Sequence, residues 1–368
     1  MEVTLGTVEL LKVASLVSRV VGAKPNLPIL SNLLLEATKT GLQVSATNLE
    51  TSIKMFVAAK VSQEGRTTVP ARVLVDFIST GKGDKTQLKL VKENLEINNG
   101  ETEASMATIS ALEFPPLPVP PKGQGASLPA EVVTEAINQV AFAASPDEGR
   151  PVLTGVLLRG EGKKLVLVAT DGYRLVKKEI PVSIDLPDLI IPARSLVEVA
   201  KLLAETAEGK VVVATLEGAN QVIFTTDGFE IASRVLEGSF PNFGQIIPEK
   251  FACETEVKKE DLVLAVRQVA TFSRDLGNVI QVETKGKGEL LFTAKTAQLG
   301  QAESRLAAPI KGEQLKIAFN AKYLLEGLNV IDDATVALKF SGTTSPTLIR
   351  AHGNENLTYI VMPVRIQS

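Results

Sequence analysis

One phrase of this sequence is written three times, and that repetition limits the chain to a small set of architectures. An apolar strand runs into Pro-Ala-Arg or its analogue and then into an amphipathic helix. The copies are Val69-Pro70-Ala71-Arg72-Val73-Leu74, Ile191-Pro192-Ala193-Arg194-Ser195-Leu196 and a worn Phe319-Asn320-Ala321-Lys322-Tyr323-Leu324. The basic residue falls at 72, 194 and 322, so the period is 122 and then 128 residues. Solenoid units run to roughly 20–50 residues, whereas a whole domain takes about 100–150. The period therefore predicts one domain present three times, bounded at 1–122, 123–250 and 251–368.

Other landmarks keep this period. Helical spacing of apolar residues predicts helices over 8–21, 130–144 and 259–272, one opening each third. Thr47-Asn48-Leu49-Glu50 in the first third answers Thr170-Asp171-Gly172-Tyr173 in the second. The thirds close on Phe114-Pro115, Phe240-Pro241 and Met362-Pro363. Within the first third, strands are expected near 33–38, 42–47 and 51–61, then a helix over 71–80, then strands near 87–92, 94–98 and 102–109. Each third is thus a pair of strand–helix–strand–strand–strand units, an α+β fold with two helices per third. Each helix has one apolar face, which places the helices on one side of an antiparallel sheet. Pro115 to Pro121 holds five prolines in seven residues, an extended and stiff connector between the first two thirds.

Charge and chemistry exclude more than they suggest. The formal net charge is −3 and the pI is about 5.6, whereas a domain that grips duplex DNA by neutralising phosphates is usually basic. Either nucleic acid is not a partner, or the basic residues are segregated on one surface. The single cysteine, Cys253, makes neither an internal disulfide nor a cysteine metal cluster, and a reducing cytoplasm fits. The N-terminus lacks a signal-peptide pattern and no apolar run is long enough to span a bilayer, so no membrane role is expected. With one histidine, His352, no Ser/His/Asp or Cys/His set can be assembled. The Gly81–Thr86 segment follows a helix and lacks P-loop spacing, so it reads as a helix end and turn. Asp171 is the best catalytic candidate, but a turn residue bonding its own backbone is the plainer reading. No metal or other cofactor is implied.

The polar helix faces carry cations. Lys12, Ser15 and Arg19 form one stripe on the first helix. Arg72, Arg194 and Lys322 recur just inside the same helix of every third, which a merely solvated face does not require.

With these features in place, the chain resembles the bacterial DNA polymerase sliding clamps, the beta subunits of the replicative polymerase. The resemblance rests on Lys24-Pro25-Asn26-Leu27-Pro28-Ile29-Leu30, Val69-Pro70-Ala71-Arg72, Ala169-Thr170-Asp171-Gly172-Tyr173-Arg174-Leu175, Gly238-Ser239-Phe240-Pro241 and Tyr359-Ile360-Val361-Met362-Pro363-Val364-Arg365, in that order along the whole chain. It implies a non-catalytic processivity factor: two chains paired head to tail as a ring around duplex DNA, helices inside and sheets outside. It implies DNA-side roles for Lys24, Arg72 and Arg194, with Lys12, Arg19 and Lys322 on the same faces. It further implies an apolar cleft that takes short extended peptides from the replicative polymerase, the clamp loader and repair polymerases. The cleft would gather Leu153, Thr170, Gly172, Tyr173, Arg174, Leu175, Pro241, Ile246, Asn320, Tyr323, Thr344, Pro346, Met362, Pro363, Val364 and Arg365. Chain pairing would join the strand near Ala104 and Met106 to the helix end near Thr271 and Phe272. The competing readings are a peptide-binding repeat scaffold that never encircles DNA, and a hydrolase using Asp171.

Overall fold

The computed structural model describes the chain except residues 23, 24, 101, 122, 185, 207, 208, 217, 219, 275, 276, 287, 297–299 and 366–368. Among the described residues there are six α-helices, two opening in each third: α1 (Thr7–Val17), α2 (Ala71–Thr80), α3 (Ala130–Val140), α4 (Ala193–Thr206), α5 (Lys259–Ala270) and α6 (Ala321–Asn329). The expected helices over 8–21 and 130–144 are each an α-helix finished by a 3₁₀ turn, Ser18–Val20 and Ala141–Ala143. Arg19 therefore leaves the α1 stripe and belongs to the tighter turn. The strand expected over 51–61 is two strands, Thr51–Val57 and Lys60–Gln63, which pair in different sheets.

The chain packs as two compact units, Met1–Thr134 with Ser195–Val235 and Glu135–Arg194 with Leu236–Ser368. These units do not follow the sequence repeat, because sheets run on from one repeat into the next. In the first unit an antiparallel five-stranded sheet orders Lys60–Gln63, Glu2–Gly6, Lys85–Val91, Asn94–Asn99 and Thr102–Ala107. Its eight-stranded sheet orders Ala126–Pro129, Lys210–Leu216, Gln221–Thr225, Phe229–Arg234, Thr51–Val57, Gly41–Thr47, Asn32–Thr38 and Gly65–Pro70. The repeats meet where Ile231 stands opposite Ile53.

In the second unit a nine-stranded sheet orders Leu189–Pro192, Gly155–Glu161, Lys164–Thr170, Arg174–Ile180, Leu357–Val361, Thr347–Ala351, Thr335–Phe340, Cys253–Lys258 and Lys311–Gly312. Here the repeats meet where Leu175 stands opposite Ile360. The remaining sheet has four strands, Gly300–Ala307, Glu289–Thr296, Val279–Lys285 and Lys316–Asn320. The repeated phrase has one structural meaning in all three copies. It ends an outermost strand (Gly65–Pro70, Leu189–Pro192 or Lys316–Asn320) and starts a helix. Proline is tolerated there because an outer strand leaves one row of amides without a ladder partner.

Helix packing departs from the expectation of one sheet. α1 touches Glu2–Gly6 and Lys85–Val91 of the five-stranded sheet and also Gly41–Thr47 and Thr51–Val57 of the eight-stranded one. α5 likewise touches the four- and nine-stranded sheets. Leu10, Ala14 and Val17 of α1 and Leu74 of α2 are wholly buried in this way. Each large aliphatic side chain so buried contributes about 1.5–3 kcal/mol.

Tight packing is clearest where α6 meets the strand Leu357–Val361. A Cβ added at Gly327 would stand 2.1 Å from the Tyr359 ring, and that ring is fully buried with its hydroxyl donating to the Tyr323 carbonyl at 2.8 Å. Gly327→Ala is therefore expected to destabilise the protein by about 1–3 kcal/mol, the usual cost of overpacking. Thermal unfolding measures this, and an unchanged midpoint would show that the ring has room to yield.

Candidate nucleic-acid and partner-binding surfaces

Arg72, Arg194 and Lys322 are each the second residue of their helix and each is exposed. A cation in the first turn opposes the helix macrodipole, at a cost of about 0.3–1 kcal/mol. Stability therefore does not account for the same unfavourable placement in three copies. In the first unit α1 and α2 pack together, with Lys12 and Arg72 exposed on them. Neither makes an ion pair among the described residues, whereas Arg19 pairs with Glu205 at 2.7 Å. In the second unit Arg194 pairs with Glu148 at 3.1 Å and Lys322 with Glu326 at 3.9 Å. Exposed pairs of this kind are worth about 0–1 kcal/mol. Lys24 lies outside the described residues. Sequence reasoning did not anticipate the apolar side chains on the same helices: Val8 is 73% exposed and Val73 53%.

The turn after Lys164–Thr170 organises the second surface. Thr170 donates its hydroxyl to the Arg174 carbonyl at 2.6 Å and accepts the Gly172 amide at 3.1 Å. Asp171 accepts the amides of Tyr173 and Arg174 at 2.9 and 3.0 Å, so its role is the turn and not an acid–base pair. Gly172 has φ +91°, the left-handed backbone that suits glycine. Tyr173 is left 61% exposed.

Arg174 turns inward and is only 8% exposed. Its Nε donates to Asp171 Oδ2 at 3.1 Å, one terminal nitrogen donates to Glu326 and the other to the Phe142 carbonyl at 2.9 Å. The guanidinium carbon lies 4.6 Å from the Tyr323 ring centroid and 5.1 Å from that of Phe142. Burial, the largest influence, disfavours the charge. The carboxylates of Glu326 and Asp171 act against it, and the Arg174 pKa is raised. Burial likewise pushes the Tyr323 and Tyr359 hydroxyls up, so both stay neutral.

Leu175, the next residue of the strand, points to the other face of the sheet, where it forms a buried apolar cluster with Leu157, Val168, Ile360 and Phe243, and Val152, Phe240, Ile246 and Ile247 are half-buried against it. The C-terminal tail is pinned to the Thr170–Arg174 turn and to the strand Lys316–Asn320. Met362 donates its amide to the Tyr173 carbonyl and Val364 to the Ala318 carbonyl, both at 2.8 Å. Pro363 is half-buried and Arg365 exposed. Asn320 caps α6, accepting the Lys322 amide at 2.9 Å. Thus Thr170, Gly172, Tyr173, Arg174, Leu175, Ile246, Asn320, Tyr323 and Met362 to Val364 fall within linked elements of one unit. Leu153 is half-buried in the 3₁₀ turn Pro151–Thr154. Pro241 and Thr344 are exposed in loops, and Pro346 is half-buried in the loop before Thr347–Ala351. Asp171, Phe142 and Glu326 were missed as a network, because nothing in their spacing shows that they share one guanidinium.

The strand Thr102–Ala107 is the outer strand of the five-stranded sheet, with Met106 buried and Ala104 half-buried. Thr271 caps the end of α5 and is exposed, and Phe272 is half-buried. α5 packs on Gly300–Ala307, the outer strand of the four-stranded sheet. His352 is exposed, with Nδ1 3.1 Å from a Glu256 carboxylate oxygen. Among the described residues no cluster of three or more His, Cys, Asp and Glu could hold a metal ion, and no helix is long and apolar enough to cross a membrane.

Three repeats of paired helices, joined through shared antiparallel sheets and bearing a cation at one helix start in each, define the DNA-clamp class. Family models for the DNA polymerase III beta subunit match in series: the N-terminal domain over residues 1–118, the central domain over 127–242 and the C-terminal domain over 244–365. The beta sliding clamp of Synechococcus elongatus is 32% identical, covering 96% of each chain. The Bacillus subtilis DNA polymerase sliding clamp matches with a TM-score of 0.95 at 26% identity over 100% of both chains. A Pseudomonas aeruginosa sliding clamp bound to griselimycin matches at 0.93 and 28% identity, again over 100% of both. The chain belongs to the family of bacterial beta sliding clamps, the non-catalytic processivity subunit of DNA polymerase III.

Proposed function

We propose that two copies of this chain close head to tail into a ring that encircles duplex DNA. The ring tethers the replicative polymerase, the clamp loader and repair polymerases through short apolar peptides, in the cytoplasm. The observation that carries this reading is the bookkeeping of the sheets. Thr51–Val57 and Arg174–Ile180 each meet a strand of the following repeat, Phe229–Arg234 and Leu357–Val361. Their counterpart in the last third, Gly300–Ala307, ends a four-stranded sheet, and Thr102–Ala107 ends a five-stranded one. Two outer strands with unpaired rows invite pairing. Joining one chain's four strands to another's five makes nine, in line with the eight and nine strands of the two sheets that already bridge repeats. Two such joints close a ring of six repeats, each third (1–122, 123–250, 251–368) one segment.

The ring also resolves the charge. A closed ring leaves DNA only by opening, so its cations need hold phosphates only loosely and without sequence preference. Lys12, Arg72, Arg194 and Lys322, with Lys24 and Arg19, suit that task, and interspersed Val8 and Val73 keep the grip weak. The cleft reading rests on the half-buried apolar cluster around Leu175 and Ile246, beside the exposed Tyr173 and the pinned tail. Apolar walls with a few fixed polar groups are what an extended apolar peptide needs.

The test is retention on nicked circular DNA after loading by a clamp loader and ATP, before and after the circle is cut. Loss on linearisation is expected, because it reports topological linkage. Equal retention on both forms would mean binding by affinity and would overturn the ring. Lys12→Glu with Arg72→Glu is expected to weaken low-salt DNA association roughly tenfold or more with unfolding unchanged. Undiminished association would remove both residues from the DNA side.

A further inference from the structure

The chain contains the same joint twice, and the two copies differ at one point. In the first unit Thr47 donates its hydroxyl to the Thr51 carbonyl at 3.1 Å and accepts the Leu49 amide at 3.0 Å. Asn48 accepts the amides of Glu50 and Thr51 at 3.0 and 2.7 Å. Leu49 has φ +74°. The Arg234 amide donates to the Glu50 carbonyl at 2.9 Å, as the Met362 amide does to Tyr173 in the second unit. Bond for bond this is the Thr170–Arg174 turn, so position 51 corresponds to 174. The facing helices correspond as well. Ser195 and Tyr323 are the third residues of α4 and α6, and Glu198 and Glu326 the sixth.

At the first joint the two counterparts are small and touch directly: the Thr51 and Ser195 hydroxyls lie 2.7 Å apart, and both residues are buried. At the second joint they are large. Arg174 reaches Asp171, Glu326 and the Phe142 carbonyl with its nitrogens and lies over the Tyr323 ring.

We propose that Arg174 is a positioning residue for the peptide cleft: a buried strut that sets the spacing of α6 and the Tyr323 ring from the strand Arg174–Ile180, and not a group that bonds the peptide. Its donors face partners within the protein, so the peptide meets the surface Arg174 holds apart. At the twin joint two hydroxyls close the corresponding space. The strut role rests on the cleft reading above.

The experiment titrates a fluorescein-labelled hexapeptide ending in Leu and Phe against full-length protein carrying fluorotyrosine. The chain has three tyrosines, so each gives one resolvable fluorine signal. Lysine keeps the charge of arginine but loses its planar fork and stacking. Arg174→Lys is expected to fold, to bind roughly tenfold more weakly, and to shift the Tyr323 signal before any peptide is added. Arg174→Met with Asp171→Asn, which removes the buried charge together with that of its buried partner and keeps an amide acceptor for the turn as Asn48 does in the twin, is expected to keep the unfolding midpoint within a few degrees while binding stays weak. Wild-type affinity in either variant, or a Tyr323 signal that moves only when peptide is present, would overturn the strut while leaving the cleft standing. A wild-type protein that binds no hexapeptide would overturn the cleft itself, and the strut with it.

Discussion

Ala104→Arg should turn a two-chain particle into single chains of 39.2 kDa. Ala104 is half-buried in the outer strand Thr102–Ala107, where the second chain's Gly300–Ala307 would pair. A charge left unpaired in such a joint costs about 2–5 kcal/mol, which weakens association by roughly thirtyfold or more. Head-to-tail pairing makes a sharper demand, because its two faces are different surfaces. Ala302→Arg, on the opposite outer strand, should also give single chains. Mixing the two variants should restore a two-chain species through the one intact joint, without closing a ring. Light scattering on each variant and on the mixture decides this. If Ala302→Arg alone stays two-chain, the joint is not head to tail through these strands.

The second large effect concerns the C-terminal tail. Removing residues 362–368 is expected to reduce peptide affinity at least a hundredfold while the strand Leu357–Val361 and the fold persist. The tail is held by two backbone hydrogen bonds, Met362 to Tyr173 and Val364 to Ala318, and lies outside the ladder that ends at Val361. Its loss removes a segment of the proposed cleft and leaves Leu175 and Ile360 buried within the sheet. Tyr323→Ala should act in the same direction, removing the aromatic face over Arg174. A peptide titration alongside thermal unfolding reads both changes. Unchanged affinity in the truncated protein would place the peptide elsewhere.

Sequence periodicity located the repeat, the paired helices and the recurring cation because these are local or regularly spaced features. Turn chemistry was legible for the same reason: Thr170-Asp171-Gly172 bonds within five residues, and its echo at Thr47-Asn48-Leu49 does so too. The absence of any assembled catalytic set was equally readable from one histidine and one cysteine. Strand partnership was not. The repeat predicts one domain present three times but not that sheets cross its borders, where Thr51–Val57 pairs with a strand about 180 residues later and Arg174–Ile180 with one just as distant. Side-chain pattern tells a strand which face is buried but not whose edge it will meet. That choice falls to long-range packing, here helices wedged against two sheets at once.

The same divide runs through the site. The resemblance assigned Arg174 to an apolar cleft, but only the folded chain brings Phe142, Asp171, Glu326 and Tyr323 around one guanidinium from 3 to 152 positions away. The sequence by itself determined that one domain is present three times, that each copy starts a helix with a cation, and that no chemistry is assembled for catalysis. The tertiary structure alone decided which strands stay without partners and which of two matching joints is propped apart. Both depend on contacts between residues far apart in the chain, and neither periodicity nor spacing records those.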